Sequence, residues 1–440
     1  MRSPLLRLST SLLALSAVVA ASGVATARPG GPADGLERPR TGWTAGWAAP
    51  VQRPSAGFEP NWAETGFADQ TVRQVVRVTG GGTAARIRLS NRYGTAPLRV
   101  TGATIARTAH GPAVHPATLR GLTFGHRRSV EIPAGGETAS DAAPLRLAPF
   151  ESVTVTLYFR RPTGPATFHS QAYATSYRAD GDHRDDRTGA AFTGRTHSWY
   201  YLSDVEVTGG AKGHGKGHGK RHANGHGKGR DTVVAFGDSL TDGFGSGNDT
   251  HHRWPDLLAE RLAAAGTPRP VLNSGIGGNL LRNDSPWYGE RAAARFQRDV
   301  LDKAGVRSVI VLEGLNDIGF SEVDLPTYRP NPQISAEEVI ASYRELIGRA
   351  HARGVRVIGG TILPFKGAEY HTARSEAKRA AINEWIRTSG EFDAVVDFAE
   401  IMASPSDPLA LDPAYDSGDA KHPNAAGYRR MAAAVDLTAL

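Results

Sequence analysis

Two hydrophobic rhythms divide the chain. In the first half, apolar and polar residues alternate in short runs: Ile87 and Leu89 against Arg86 and Arg88, and Val153, Val155, Leu157 and Phe159 against Thr154, Thr156 and Tyr158. A period of two sends neighbouring side chains to opposite faces of an extended chain, so 71–79, 85–90 and 152–159 are expected as strands, the last half-buried. Turn residues punctuate the runs at Gly80-Gly81-Gly82, Tyr93-Gly94, Pro133-Ala134-Gly135-Gly136 and Arg161-Pro162. No long helical period intervenes, and the pattern predicts an all-β sandwich or jelly-roll-like domain over 43–208. Its aromatics, Trp43, Trp47 and Trp62 among them, suit a core; a ligand platform is the alternative reading.

From Asp231 onward the rhythm changes. Short β-branched runs at 232–236, 270–273, 308–312, 355–362 and 394–398 alternate with helical stretches near 254–265, 290–303, 336–353, 373–388 and 425–435. The third helix shows its ends clearly. Ser335 and Glu338 make a capping box, Val339, Ile340, Tyr343, Leu346 and Ile347 form one stripe, and Gly354 stops it. Alternating βα units imply a parallel sheet with helices on both faces, a three-layer α/β/α domain over 231–440.

Two segments fit neither rhythm. Residues 1–27 carry Arg2 and Arg7 before an apolar stretch and end in Ala25-Thr26-Ala27, the pattern of a signal peptide cleaved after Ala27. Export, with no transmembrane anchor, is therefore expected, followed by a flexible arm over 28–42. Residues 209–230 repeat Gly-His-Gly-Lys three times, with His214, His218, His222 and His226 four apart. So much glycine opposes a helix, and a Gly/His/Lys-rich linker is expected. Weak metal or anionic-surface binding by 211–230 is compatible with its imidazoles and cations. The formal charge of +7 is largely a property of this segment, which holds six Lys and Arg residues and no acid. The folded parts are then close to neutral, which argues against nucleic acid as a partner. Without cysteine, thiol catalysis, thiolate metal sites and disulfides are all excluded.

In an open parallel sheet, the segments that follow each strand converge on one edge. Four such segments here carry chemistry. Ser239 follows the first strand, and Asn273-Ser274-Gly275-Ile276-Gly277-Gly278-Asn279 the second. Glu313-Gly314-Leu315-Asn316-Asp317 ends the third, and Asp416 to Asn424 precedes the last helix. A serine hydroxyl attacks an ester only if a base takes its proton, and His422 is of the right type. Asp419 can fix that imidazole's tautomer, while the Ser239 N–H, the Gly278 N–H and the Asn316 amide can face an oxyanion. Taken singly each has a plainer role. Asp238 and Ser239 can cap a helix, Gly278 can make a tight turn, Asn316 can cap, and Asp419 and His422 can be surface residues.

Together these blocks, Gly237-Asp238-Ser239-Leu240, Gly278, Gly314-Leu315-Asn316-Asp317 and Asp419-Ala420-Lys421-His422, resemble the SGNH/GDSL hydrolase family over residues 231–437. The resemblance implies a flavodoxin-like fold and acyl-ester hydrolysis without a cofactor. It also implies Ser239 as nucleophile, His422 as base, Asp419 as its partner, and Ser239, Gly278 and Asn316 as the oxyanion hole. Gly277 beside Gly278 leaves that glycine's register open by one residue, and the Gly-x-Ser-x-Gly elbow of other hydrolases is missing. The expected partner is an ester, with acylated polysaccharide, and so a carbohydrate deacetylase, as the leading reading. A lipase or phospholipase of the GDSL type is the alternative within enzymes. It is disfavoured because loops 317–334 and 409–419 hold Pro326, Tyr328, Pro330, Pro332 and Tyr415 rather than a long apolar lid. A noncatalytic carbohydrate- or cell-wall-binding protein is the alternative outside them.

Overall fold

The computed structural model describes residues 42–209, 231–324, 326–328 and 333–440. The expected signal peptide, all of the arm except Gly42, and the linker from 210 to 230 lie outside the described residues, as do Pro330 and Pro332.

The first half is all-β and antiparallel. One sheet runs in the order Trp43–Ala48, Leu202–Thr208, Ala84–Ser90, Glu137–Ala139. A second is built around Ser152–Phe159, which pairs with Gln70–Arg77 on one side and Gly102–His110 on the other. Ile87, Leu89 and Val205 from the first sheet meet Val72, Val153, Val155 and Leu157 from the second in a single core. The strand 152–159 departs from expectation because both its faces are buried: Thr154 and Thr156 are each only 1% exposed. The cause is tertiary. Arg73, on the neighbouring strand, donates to Thr156 Oγ1 at 3.1 Å and to the Pro112 and Asp186 carbonyls at 2.7 Å, drawing a loop across the polar face.

The second half is a five-stranded parallel sheet. Its strands are Thr232–Gly237, Val271–Gly275, Val306–Leu312, Arg356–Gly360 and Ala394–Val396, and they lie in the order second, first, third, fourth, fifth. Val233, Val234, Ala235 and Phe236 are fully buried, as an unbroken apolar run in a central parallel strand requires. Gly237 stands level with Gly275 and Leu312, so the segments after the first three strands leave the sheet side by side.

The long helices form near their expected positions. Ser335 and Glu338 make the capping box for Ala336–His351, and Thr372 and Ser375 make another for Ala373–Thr388. The expected helix 290–303 instead begins as Ala292–Phe296 and widens into a π turn over Gln297–Leu301, where Asp299 meets Arg295 and Arg298. The expected strand 394–398 stops at Val396, because Asp397 caps a short helix, Phe398–Met402. Part of the expected loop 409–419 belongs to a hairpin, in which Asp407–Leu411 pairs with Ala403–Ser404.

The two halves share extensive polar contacts, and Gly42–Leu440 forms one unit. Thr79 Oγ1 donates to Val271 O at 2.9 Å and accepts from Val271 N at 3.1 Å. Lys303 pairs with Asp204 at 2.8 Å, Arg77 with Glu260 at 2.8 Å, and His169 with Asp242 at 3.1 Å. Among the described residues, no helix is long and apolar enough to cross a membrane.

Candidate active site

Ser239 begins a four-residue helix, Ser239–Asp242, directly after the first strand. Asp238 is its N-cap and accepts from Leu240 N at 2.9 Å, so capping and display of the serine occur together. Gly243, at φ 115°, ends this helix in a conformation that favours glycine.

The serine hydroxyl meets a second loop. Its Oγ lies 2.7 Å from His422 Nε2, and His422 Nδ1 lies 2.5 Å from Asp419 Oδ2. A ring nitrogen facing a carboxylate carries the hydrogen, which leaves Nε2 free to accept from the serine. Asp419 Oδ1 also accepts from the backbone N–H of His422 at 2.9 Å and of Lys421 at 3.1 Å. Burial opposes ionisation of Asp419, but these bonds prevail and hold its carboxyl well below the usual range. The loop itself is braced by Asp416, whose carboxylate accepts from Gly418 N and Ala420 N, with Ala420 at φ 63°. The Phe244 ring packs on His422 with centroids 4.4 Å apart.

In the turn after the second strand the two glycines differ in their hydrogen bonding. Gly277 N donates to Asp242 Oδ2 at 3.0 Å. Gly278 N has no acceptor among the described residues, and neither has Ser239 N. Gly278 sits at φ 74°, and a Cβ there would stand 2.2 Å from the Tyr288 ring, so no other residue fits this position without displacing Tyr288. Asn316, in the first turn of Leu315–Phe320, places its Nδ2 3.0 Å from Asn279 O and 3.2 Å from Asp238 Oδ2. Both of its amide hydrogens are therefore engaged in the free protein. The structure thus brings Ser239, His422 and Asp419 into one hydrogen-bonded chain and sets Gly278 and Asn316 on the neighbouring segments of the same sheet edge.

Beneath them lies a cluster built on an arginine that no sequence motif marks. Arg295, fully buried, donates to Gly237 O, Ser274 O and Asn279 Oδ1, each at 2.8 Å, and to Glu313 Oε1 at 3.2 Å. It ties together the ends of the first three strands. Asp299 meets it at 3.5 Å, and Asp238 and Asp317 are two more buried carboxyls close to Glu313. Burial, reinforced by neighbouring carboxylates, pushes Asp238 up to about 7 and Glu313 well above its ordinary value. Burial pushes Asp317 up to about 6, although it accepts from Leu281 N and Arg282 N. Nothing in the sequence separates Arg295 from the other arginines of its helix. Its role comes from where the π turn and the sheet edge place it.

Another contact reaches the site from the β-rich half. His169 and Asp242, both 2% exposed in their side chains, are 3.1 Å apart, and the other oxygen of Asp242 holds the Gly277 N–H. The β-rich half therefore touches the turn that carries Gly278.

A reactive-type hydroxyl hydrogen-bonded to an imidazole, at the C-terminal edge of a parallel sheet, is the setting of a hydrolase, and the comparisons with known proteins place the enzyme among the carboxylic ester hydrolases. Residues 235–430 match the model of the GDSL-like lipase/acylhydrolase family. The solved structures it is similar to include a GDSL-like lipase from Bacteroides thetaiotaomicron, at 20% identity and TM-score 0.35 over 48% of this chain and 87% of the other. They also include an acetylxylan esterase from Geobacillus stearothermophilus, at 23% identity and TM-score 0.35 over 47% of this chain and 92% of the other. No curated protein matches the chain.

Proposed function

We propose that the protein is an exported serine esterase that removes short acyl groups from carbohydrate, with Ser239 as nucleophile, His422 as general base and Asp419 as the base's partner. The observation that carries this reading is the continuous path from Ser239 Oγ through His422 to Asp419, at 2.7 and 2.5 Å. His422 Nε2 takes the hydroxyl proton as Oγ bonds to the acyl carbon, and the carbonyl oxygen becomes an oxyanion. Collapse of this intermediate expels the alcohol, which takes the proton from His422. Water then enters by the same route and releases the acid.

The free N–H groups of Ser239 and Gly278 suit the oxyanion. Asn316 joins them by exchanging its 3.2 Å bond to Asp238 for one to the developing charge. A negatively charged oxygen is the stronger acceptor, because burial favours the neutral form of Asp238. The Tyr288 ring against Gly278 favours a short acyl group over a long chain. Export rests on the N-terminal pattern of residues 1–27, and the three-layer arrangement on the alternation of strands and helices.

The test is Ser239→Ala, assayed on a soluble acetate ester. Turnover should fall about 10⁴-fold or more while the melting profile stays that of the parent. Turnover close to the parent's would remove Ser239 from the mechanism.

A further inference from the structure

The family match begins at residue 235, yet the turn that carries Gly278 is braced by a side chain from the β-rich half. His169 lies in the strand Phe168–His169, which pairs with Trp199–Tyr200. Its Nδ1 is 3.0 Å from Pro50 O, and its Nε2 is 3.2 Å from Gln171 O and 3.1 Å from Asp242 Oδ1. Carbonyl oxygens only accept, so both ring nitrogens donate, and the ring presents an N–H to the Asp242 carboxylate. Stacking holds the ring as well. Its centroid is 5.5 Å from that of Trp199, whose Nε1 donates to Val75 O at 3.1 Å.

Asp242 faces two ways. One oxygen meets His169, and the other accepts from Gly277 N at 3.0 Å. Asp242 is also the last residue of the helix that Ser239 begins, and its own N–H donates to Asp238 O at 2.8 Å. A single residue thus spans the helix of the serine and the turn of Gly278.

That turn restrains itself little. Asn279 N donates to Ile276 O at 3.1 Å and closes it, but two adjacent glycines leave the peptide between them easily rotated. This peptide carries the Gly278 N–H. Its direction relative to Ser239 depends on where Gly277 N is held, and Asp242 holds it.

We infer that His169 is a positioning residue for ester hydrolysis: through Asp242 it aims the Gly278 N–H at the oxyanion, so that the β-rich half completes the oxyanion hole. The inference rests on the reading of Ser239 as nucleophile and of the Gly278 N–H as an oxyanion donor. The oxyanion forms only after attack, so a loosened donor lowers kcat and leaves ester binding unchanged.

The experiment uses the full chain and a soluble acetate ester. In His169→Phe a ring stays on Trp199 and both donors are lost. Its kcat should fall about 10–10²-fold with KM unchanged, less than the loss of a whole oxyanion donor. The inhibition constant of an alkyl boronic acid, which forms a tetrahedral adduct with the serine hydroxyl, should rise by the same factor. His169→Gln restores an N–H toward Asp242 and should recover part of kcat. A double variant, His169→Phe with Asp242→Asn, removes the charge that phenylalanine leaves buried, while the asparagine oxygen still accepts from Gly277 N. Its melting temperature should return toward the parent's with kcat still low. If kcat returned as well, His169 would serve only to offset a buried charge, and the positioning role would be overturned. A parent-like kcat in His169→Phe, or a loss confined to KM, would overturn it too. Ser239→Ala separates this from the mechanism. Retained activity there sinks the mechanism itself, whereas an inactive Ser239→Ala beside an unaltered His169→Phe sinks the positioning role alone.

Discussion

At the scale of single residues, the site depends on which hydrogen-bond donors are already spent. Gly277 and Gly278 are indistinguishable in sequence, but Asp242 consumes the N–H of the first and leaves the second free. Asn316 is the opposite case, since both amide hydrogens have protein acceptors at rest. If one of them turns to the oxyanion, Asn316→Ala should lower kcat about 10²–10³-fold with little change in KM. A variant that loses melting temperature but keeps kcat would show that the amide only braces Asp238 and the Asn279 carbonyl. Steady-state kinetics on the soluble acetate ester, with a thermal melt alongside, separates the two.

At the scale of elements, the strand ends are joined through Arg295, whose guanidinium meets Glu313, and Asp238 and Asp317 are buried close to that carboxyl. All three carboxyls are raised by burial, to about 7 for Asp238 and about 6 for Asp317. A carboxyl raised on folding binds its proton more tightly in the folded chain. Its contribution to stability is therefore full below the unfolded value, about 4, and is lost as the pH climbs through the folded one. Thermal melts should give a Tm several degrees lower at pH 8 than at pH 5. Glu313→Gln removes one of the three ionisable groups and should flatten that decline. A Tm that is constant or rises from pH 5 to pH 8 would mean that the cluster is not the dominant titrating element.

At the scale of the whole molecule, the contacts between the halves are buried and charged. The side chains of Lys303 and Asp204 are 8% and 6% exposed, and although burial works against the ammonium, Asp204 holds its pKa above the ordinary value. Replacing one member leaves the other charge buried without its partner, at about 3–5 kcal/mol. Lys303→Met should therefore lower the melting temperature by several degrees. Because the halves interlock, one calorimetric transition is expected, coincident with the loss of helical circular dichroism, which reports the second half alone. Two separated transitions in the parent protein would show that each half unfolds independently.

The sequence by itself determined what short-range chemistry can encode. The β-branched run before Ser239, the capping box at Ser335 and the βα alternation each repeat a local rule, and they placed strands and helices to within a few residues. It also put Ser239, Gly278, Asn316, Asp419 and His422 on segments that meet at one sheet edge, since parallel strands send the loops at their C-terminal ends to the same side. Only the tertiary structure decided the rest. Thr154 and Thr156 are buried because Arg73 pulls a loop over them, and the strand's own period is silent about what crosses it. Arg295 and His169 are ordinary residues in sequence. One becomes the fully buried tie among three strands and the other a buried donor to Asp242, through contacts between segments distant along the chain, which no local pattern encodes.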